Sequence, residues 1–259
     1  MNAIQYVGHA TCVLDLDGTR VITDPILRRR LAHLRRVAPL DRSRARDVDL
    51  VVVSHAHLDH LDIPSLRRLG RDVPIVIPRG AGGVVTRRGF RNVTEVEPGE
   101  VVEVGAVTVR VTEAVHDGGR PPFRVSSVAV GYVLRTASTS VYFAGDTDLF
   151  DGMDGLEPGL DVALIPIWGW GLDLGRGLHL GPQPAAEAVR RLQPRIAIPI
   201  HWGTLLPAHR GLLSLPATLR DPAPEFAAAV ASVAPAVDVR ILQPGEALVL
   251  EGPADPAFD

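Results

Sequence analysis

Lysine is missing from this sequence. Arginine supplies all 27 of its basic side chains, against 30 Asp and Glu, and the formal net charge is -3. Such a balance provides no general pull toward a polyanion, so nucleic acid is excluded as an expected partner. Cysteine is nearly missing as well. Cys12 stands alone, which rules out an internal disulfide, and its alternating strand context reads as a small core residue. No apolar run reaches the roughly 20 residues that cross a bilayer. Met1 to Gly8 also lacks the basic start and apolar core of an export signal. The expectation is a cytoplasmic protein with no stable membrane anchor. Low-complexity tracts and repeats of fixed period are lacking too, and 259 residues at 46% hydrophobic suffice for one domain over 1–259 with a substantial core.

What is present is a dense series of short apolar runs. Residues 4–7, 11–16 and 20–23 read as strands of an opening meander, with Asp17-Gly18 as its tight turn. Residues 48–54, 73–77, 93–96, 101–104, 107–112, 127–134 and 139–143 continue the series. Further strands are expected at 162–166, 196–200, 237–242 and 247–250, with helices at 184–192 and 224–233. Helices are expected also at 63–69, where Pro64 is tolerated in the first turn, at 82–88, and over the basic stretch 28–36 (RRRLAHLRR). Strands with helices interleaved in both halves argue for an α/β protein of two sheets covered by outer helices.

The chemistry concentrates in His55-Ala56-His57-Leu58-Asp59-His60, directly after an apolar run. Successive residues of an extended segment point to opposite sides, so His55 and His57 share one side and can grip one ion. Asp59 and His60 lie where the chain leaves the strand for a helix and can face a second position nearby. Without an ion, imidazoles this crowded repel one another when protonated and are poorly solvated when neutral. Three more apolar strands end in ligand-type side chains: His116 after 108–115, Asp146 after 140–144 and His201 after 196–200. Taken singly, each is an ordinary hydrogen-bonding residue or cap. Together with the His block they supply the donors that a centre of two divalent metal ions recruits from distant strands. Imidazoles and carboxylates without thiolate suit Zn2+, and also Mn2+ or Fe2+.

These segments resemble the metallo-β-lactamase superfamily, whose motif is H-x-H-x-D-H followed by a distant His, Asp and His. Gly8-His9-Ala10-Thr11, Thr23-Asp24-Pro25, the stretch 54–62 (SHAHLDHLD), 144–147 (AGDT) and 200–204 (IHWGT) narrow the resemblance further. They look like the branch holding the N-acyl-phosphatidylethanolamine-hydrolysing phospholipase D and the ascorbate-6-phosphate lactonase, in order and over nearly the whole chain. The resemblance implies an αββα sandwich, two mixed β-sheets packed face to face with helices outside, and a site at one edge. It implies that His55, His57 and His116 hold one metal and Asp59, His60 and His201 the other, with Asp146 bridging. Asp59, Asp146 and His179 form the implied catalytic set; His179 stands where phospholipase-like members carry an active-site His. Asp24 matches a position near the metals suited to hydrogen-bond a ligand His. His9 either lies beside the site or packs structurally, and His33 and His209 read as surface residues.

The implied function is hydrolysis by a metal-bridging hydroxide, first of a phosphodiester in the manner of phospholipase D. The alternative is a lactonase acting on a phosphorylated sugar lactone, or another ester hydrolase. A di-iron oxidoreductase on the same fold is a third reading; such members typically carry a carboxylate where this block has His57. Arg120 and Arg124 suit a small-molecule or lipid-like anionic substrate. Trp168-Gly169-Trp170-Gly171 is too glycine-rich for core and reads as an aromatic lip or a surface loop. Asp117-Gly118-Gly119-Arg120 departs from the branch, whose members often carry an aromatic after the third ligand His. The sequence specifies no oligomeric state.

Overall fold

The computed structural model describes residues 1–43, 45–119, 125–168, 179–208 and 222–250. β1 (Asn2–Gly8), β2 (Thr11–Leu16) and β3 (Thr19–Thr23) form the expected meander, with Asp17 and Gly18 at φ 46° and 86° in its turn. Then come β4 (Arg30–Leu31), β5 (Leu34–Arg36), β6 (Leu50–Val52), α1 (Ile63–Leu69), β7 (Ile75–Pro78), α2 (Gly82–Thr86) and β8 (Val93–Val96). The second half holds β9 (Val101–Val104), β10 (Val107–Glu113), β11 (Val130–Arg135), β12 (Ser140–Phe143), β13 (Val162–Pro166) and α3 (Pro182–Leu192). It continues with β14 (Ile196–Ile200), β15 (Leu205–Pro207), α4 (Ala223–Val233), β16 (Asp238–Val239) and β17 (Ala247–Leu250).

The two halves follow one plan. In a sheet ordered β17-β1-β2-β3-β6-β7-β8, pairing is antiparallel as far as β3 and parallel beyond it. The second sheet, ordered β16-β14-β13-β12-β11-β10-β9, is antiparallel from β9 to β12 and parallel from β12 to β16. Antiparallel neighbours join by tight turns, whereas parallel ones need crossovers, and the α-helices among the described residues lie in such crossovers.

Alternation along each strand sends neighbours to opposite faces, so Val52 lies between the sheets while Val51 faces outward. Ile4, Tyr6, Cys12 and Leu14 of the first sheet meet Val109, Tyr132, Phe143 and Ile198 of the second in the central core. Outside the first sheet, Val13, Ile22 and Ile75 pack against Leu66 of α1 and Val85 of α2. Outside the second, Ala163 and Ile165 pack against Val189 of α3 and Phe226 of α4. Helices therefore cover both outer faces, and the architecture is the αββα sandwich. Each fully buried Val, Leu, Ile or Phe contributes on the order of 1.5–3 kcal/mol relative to exposure.

Residues 28–36 do not form the expected helix. Leu31 and Leu34 are spaced like one helical face, but Ala32 takes φ 47° and the chain doubles back, pairing β4 with β5 and β5 with β15. Both leucines bury against Ile26 and Leu205, a tertiary gain that overrides local helix preference. Other differences lie at element ends: the strand expected over 127–134 begins at Val130, and that over 237–242 shortens to Asp238–Val239. No helix among the described residues is long and apolar enough to cross a membrane.

Just past the ends of β1, β3, β6, β10, β12 and β14 stand His9, Asp24, His55, His116, Asp146 and His201. In open α/β sheets the carboxyl ends of strands are where ligands bind.

Candidate metal centre

The rim of the site is strained and tied to itself. His9, Asp24 and His201 take φ of 60°, 33° and 63°, left-handed values uncommon outside glycine and concentrated at functional positions. Thr11 Oγ1 donates to Asp24 O (2.7 Å) and accepts from Ile26 N (3.0 Å), while Thr23 Oγ1 donates to Ala10 O (2.7 Å). His9 N donates to Thr204 Oγ1 (2.9 Å), and His201 N donates to His9 O (2.7 Å). The GHAT, TDP and IHWGT segments thus lock one another in place. Gly145, at φ 62°, adds a close approach: a Cβ there would lie 2.5 Å from Ser54 Cβ. That contact carries Asp146 to the His block.

The donors fall into two groups. His55, His57 and His116 offer ring nitrogens within 4.8 Å of one another, and Asp59, His60, His201 and His9 offer a carboxylate oxygen and ring nitrogens equally close together. Asp146 stands between them: its Oδ2 lies 3.2 Å from His60 Nε2, its Oδ1 lies 3.2 Å from His201 Nε2, and it groups with His116 as well. His179 Nε2 is 3.1 Å from Asp146 Oδ2. Every residue expected as a ligand from the sequence therefore comes to one place, and His179 with them.

Behind the donors sits a buried carboxylate. Asp24 Oδ1 accepts from Ser54 N (2.7 Å), and Asp24 Oδ2 accepts from Ser54 Oγ and His60 Nδ1, each at 2.6 Å. Because the Ser54 proton goes to Asp24, Ser54 Oγ accepts from His55 Nδ1 at 2.9 Å. One carboxylate thereby fixes an Nδ1–H on both His55 and His60 and turns both Nε2 atoms inward. His201 Nδ1 likewise donates to Trp168 O at 2.9 Å. Trp168 is buried in the outer core of the second sheet, contrary to the reading of its glycine-rich surroundings as non-core. Residues 169–171, Arg120, Arg124 and His209 lie outside the described residues, and His33 is exposed. Ser54 and the Trp168 carbonyl were not marked as functional by sequence reasoning. Ser54 has a positional signal, directly before the first His of the block; a backbone carbonyl has none.

Electrostatics favour a cation. Burial pushes His55 and His201 well below the ordinary imidazole range and His57 down to about 4, so these rings are neutral lone-pair donors. Burial opposes charge on Asp59 and Asp146 too, yet His60 and the rings beside it hold both carboxyls well below their usual range. At His60 burial opposes the proton, and Asp146, Asp59 and Asp24 together lift it well above an ordinary histidine. The cluster balances its buried carboxylates with a positive charge at its centre, the charge a metal ion carries. Nε2 of His55 is buried and makes no hydrogen bond among the described residues, an atom that coordination would satisfy. The residues present fit a divalent cation.

A Beta-lactamase superfamily domain matches residues 19–202. A metal-dependent hydrolase of Methanopyrus kandleri is 32% identical over 255 residues, covering 94% of this chain and 97% of its own. One from Pelotomaculum thermopropionicum is 30% identical over 256 residues, covering 95% and 99%. Among solved structures, Igni18, a metallo hydrolase of Ignicoccus hospitalis, aligns over 96% of this chain and 98% of its own with TM-score 0.73 and 25% identity. CmlA, a diiron β-hydroxylase of Streptomyces venezuelae, shares the fold with TM-score 0.70 at 21% identity, over 96% of this chain and 54% of its own. With these likenesses beside the paired His and Asp groups at the sheet edge, the chain belongs to the metallo-β-lactamase superfamily, in the metal-dependent hydrolase family of its archaeal and bacterial relatives.

Proposed function

We propose that the protein is a dinuclear metal-dependent hydrolase acting on a phosphodiester. In this reading His55, His57 and His116 would hold one divalent ion and Asp59, His60 and His201 the other, with Asp146 standing between the two groups. Zinc suits these donors, as do manganese and iron. When bound, such a pair supplies a nucleophile from water at neutral pH and polarises a substrate oxygen. Asp24 and Ser54 keep the inner rings aimed, which lowers the cost of organising the site at each turnover. His179 gives a proton to the leaving group. Burial works against its charge, but the hydrogen bond to Asp146 raises its pKa above that of an ordinary histidine, which favours the proton it would give.

The observation that carries the reading is the meeting of two donor groups at Asp146 with His179 at their edge. The phosphodiester assignment draws on the likeness of the GHAT, TDP and IHWGT segments to the phospholipase D branch, and on Arg120 and Arg124 close after His116 in sequence. The same branch supports the second reading, hydrolysis of a phosphorylated sugar lactone. His57, in place of a carboxylate, favours hydrolysis over di-iron oxidation. The test is elemental mass spectrometry on untagged protein with parallel assays on a bis-aryl phosphodiester and a sugar lactone. About two equivalents of metal per chain with phosphodiester turnover is the expected result. Lactone turnover alone would transfer the assignment to the second reading, and iron with redox activity would overturn both. In His179→Ala, metal content should stay while turnover falls about 100-fold or more; normal turnover would remove His179 from the chemistry.

A further inference from the structure

Resting on the two-ion reading, we propose that His9 is a positioning residue of the deep pocket: its Nε2–H holds the Asp59 carboxylate facing His60 and His201. The ring comes from the end of β1, far in sequence from the block it touches, and is 1% exposed. Burying an imidazole is unfavourable unless its polar atoms are used. This one is delivered by a backbone in a left-handed conformation, pinned through its N–H to Thr204 and through its carbonyl to His201. The ring centroid lies 4.0 Å from that of His201 and 5.3 Å from that of His60, inside the donor group.

Asp59 is the ligand in need of such help. It sits in the turn between β6 and α1 at 16% exposure, whereas His60 and His201 are fully buried and each anchored through Nδ1. Its side chain hydrogen-bonds to His9 alone among the described residues, Nε2 to Oδ2 at 3.1 Å. The same oxygen lies 3.7 Å from His60 Nε2 and 4.0 Å from His201 Nε2, so Oδ2 is the atom turned toward the ligand nitrogens. A carboxylate accepts only, and a neutral imidazole beside it therefore donates. Each carboxylate oxygen has two lone pairs, so Oδ2 can take this hydrogen bond and still offer a pair to an ion. Without the N–H the carboxylate is free to rotate in its turn.

The test is zinc titration of chelator-stripped protein by calorimetry, comparing the wild type with His9→Phe and His9→Gln, alone and in an Asp59→Asn background. The wild type should bind two equivalents. His9→Phe, which keeps the bulk but loses the donor, should bind the tighter, deep-pocket equivalent about 10- to 100-fold more weakly and the other normally. His9→Gln restores an N–H and should recover most of that loss. In the Asp59→Asn background His9→Phe should add nothing, because the partner is already altered. An unchanged affinity for the tighter equivalent in His9→Phe overturns the inference. So does an equal loss in both backgrounds, which puts the ring's action elsewhere, and so does a failure of Gln to recover, which makes the ring itself a ligand. Should His9→Phe not fold, His9→Asn, tolerant of left-handed backbone but too short to reach Asp59, is read by the same criteria. A wild type binding one equivalent overturns the two-ion reading together with this inference; two equivalents with an indifferent His9→Phe overturns this inference alone.

Discussion

The two halves of the centre are built of different materials. The outer half is all imidazole, and two of its three rings, His57 and His116, are partly exposed. The deep half adds a carboxylate, Asp59, to the buried His60 and His201, with His9 packed beside them. Attraction between a carboxylate and a cation strengthens as the surroundings become less polar, so the deep half should hold its ion longer. The outer half, more open and built without a carboxylate, should exchange first and receive substrate. One sheet edge thus grades from carboxylate-bearing and closed to all-imidazole and open, with Asp24 and Ser54 fastening both sides from behind.

The sharpest way to break this picture is at the shared group. Asp146→Ala removes the contact common to both halves and should take metal content close to zero in elemental analysis while circular dichroism stays native; two retained equivalents would refute its role. Asp24→Ala comes next. It releases His60 directly and His55 through Ser54, and it leaves buried donors unsatisfied. Metal binding should weaken about 10- to 100-fold in chelator competition, with a stability loss of roughly 1–3 kcal/mol in thermal unfolding. A loss confined to the outer half would contradict the direct hold on His60. The smallest expected effect belongs to Ser54→Ala, which among the candidate ligands touches His55 alone: the weaker ion should loosen about tenfold, with the tighter one changed less. Equal loosening of both would erase the distinction.

Much of this was legible in the sequence because the determinants are local. Period-two alternation gave away the strands, and four ligand-type residues within six positions marked the end of β6. Residues 28–36 misled because a three-residue leucine spacing fits a helix as well as a tight reversal, and a positive φ at Ala32 leaves no trace in composition. The candidate ligands stand out by their position after apolar strands, and Asp24 by the TDP segment. What supports them was less visible: Ser54 acts through a single hydroxyl shared by two partners, and Trp168 through its carbonyl, which every residue type carries. His9 stood between two readings, since only the fold decides that β1 ends against Asp59.

The central claim is that one edge holds two ions of unequal grip. Stepwise removal of metal from the loaded protein with chelators of graded affinity, counting equivalents by elemental mass spectrometry at each step, tests it most directly. Two equivalents leaving in two separate steps, with the later step moved by Asp59→Asn and the earlier by His57→Ala, is the predicted result. A single equivalent, or two leaving together in every variant, would contradict it.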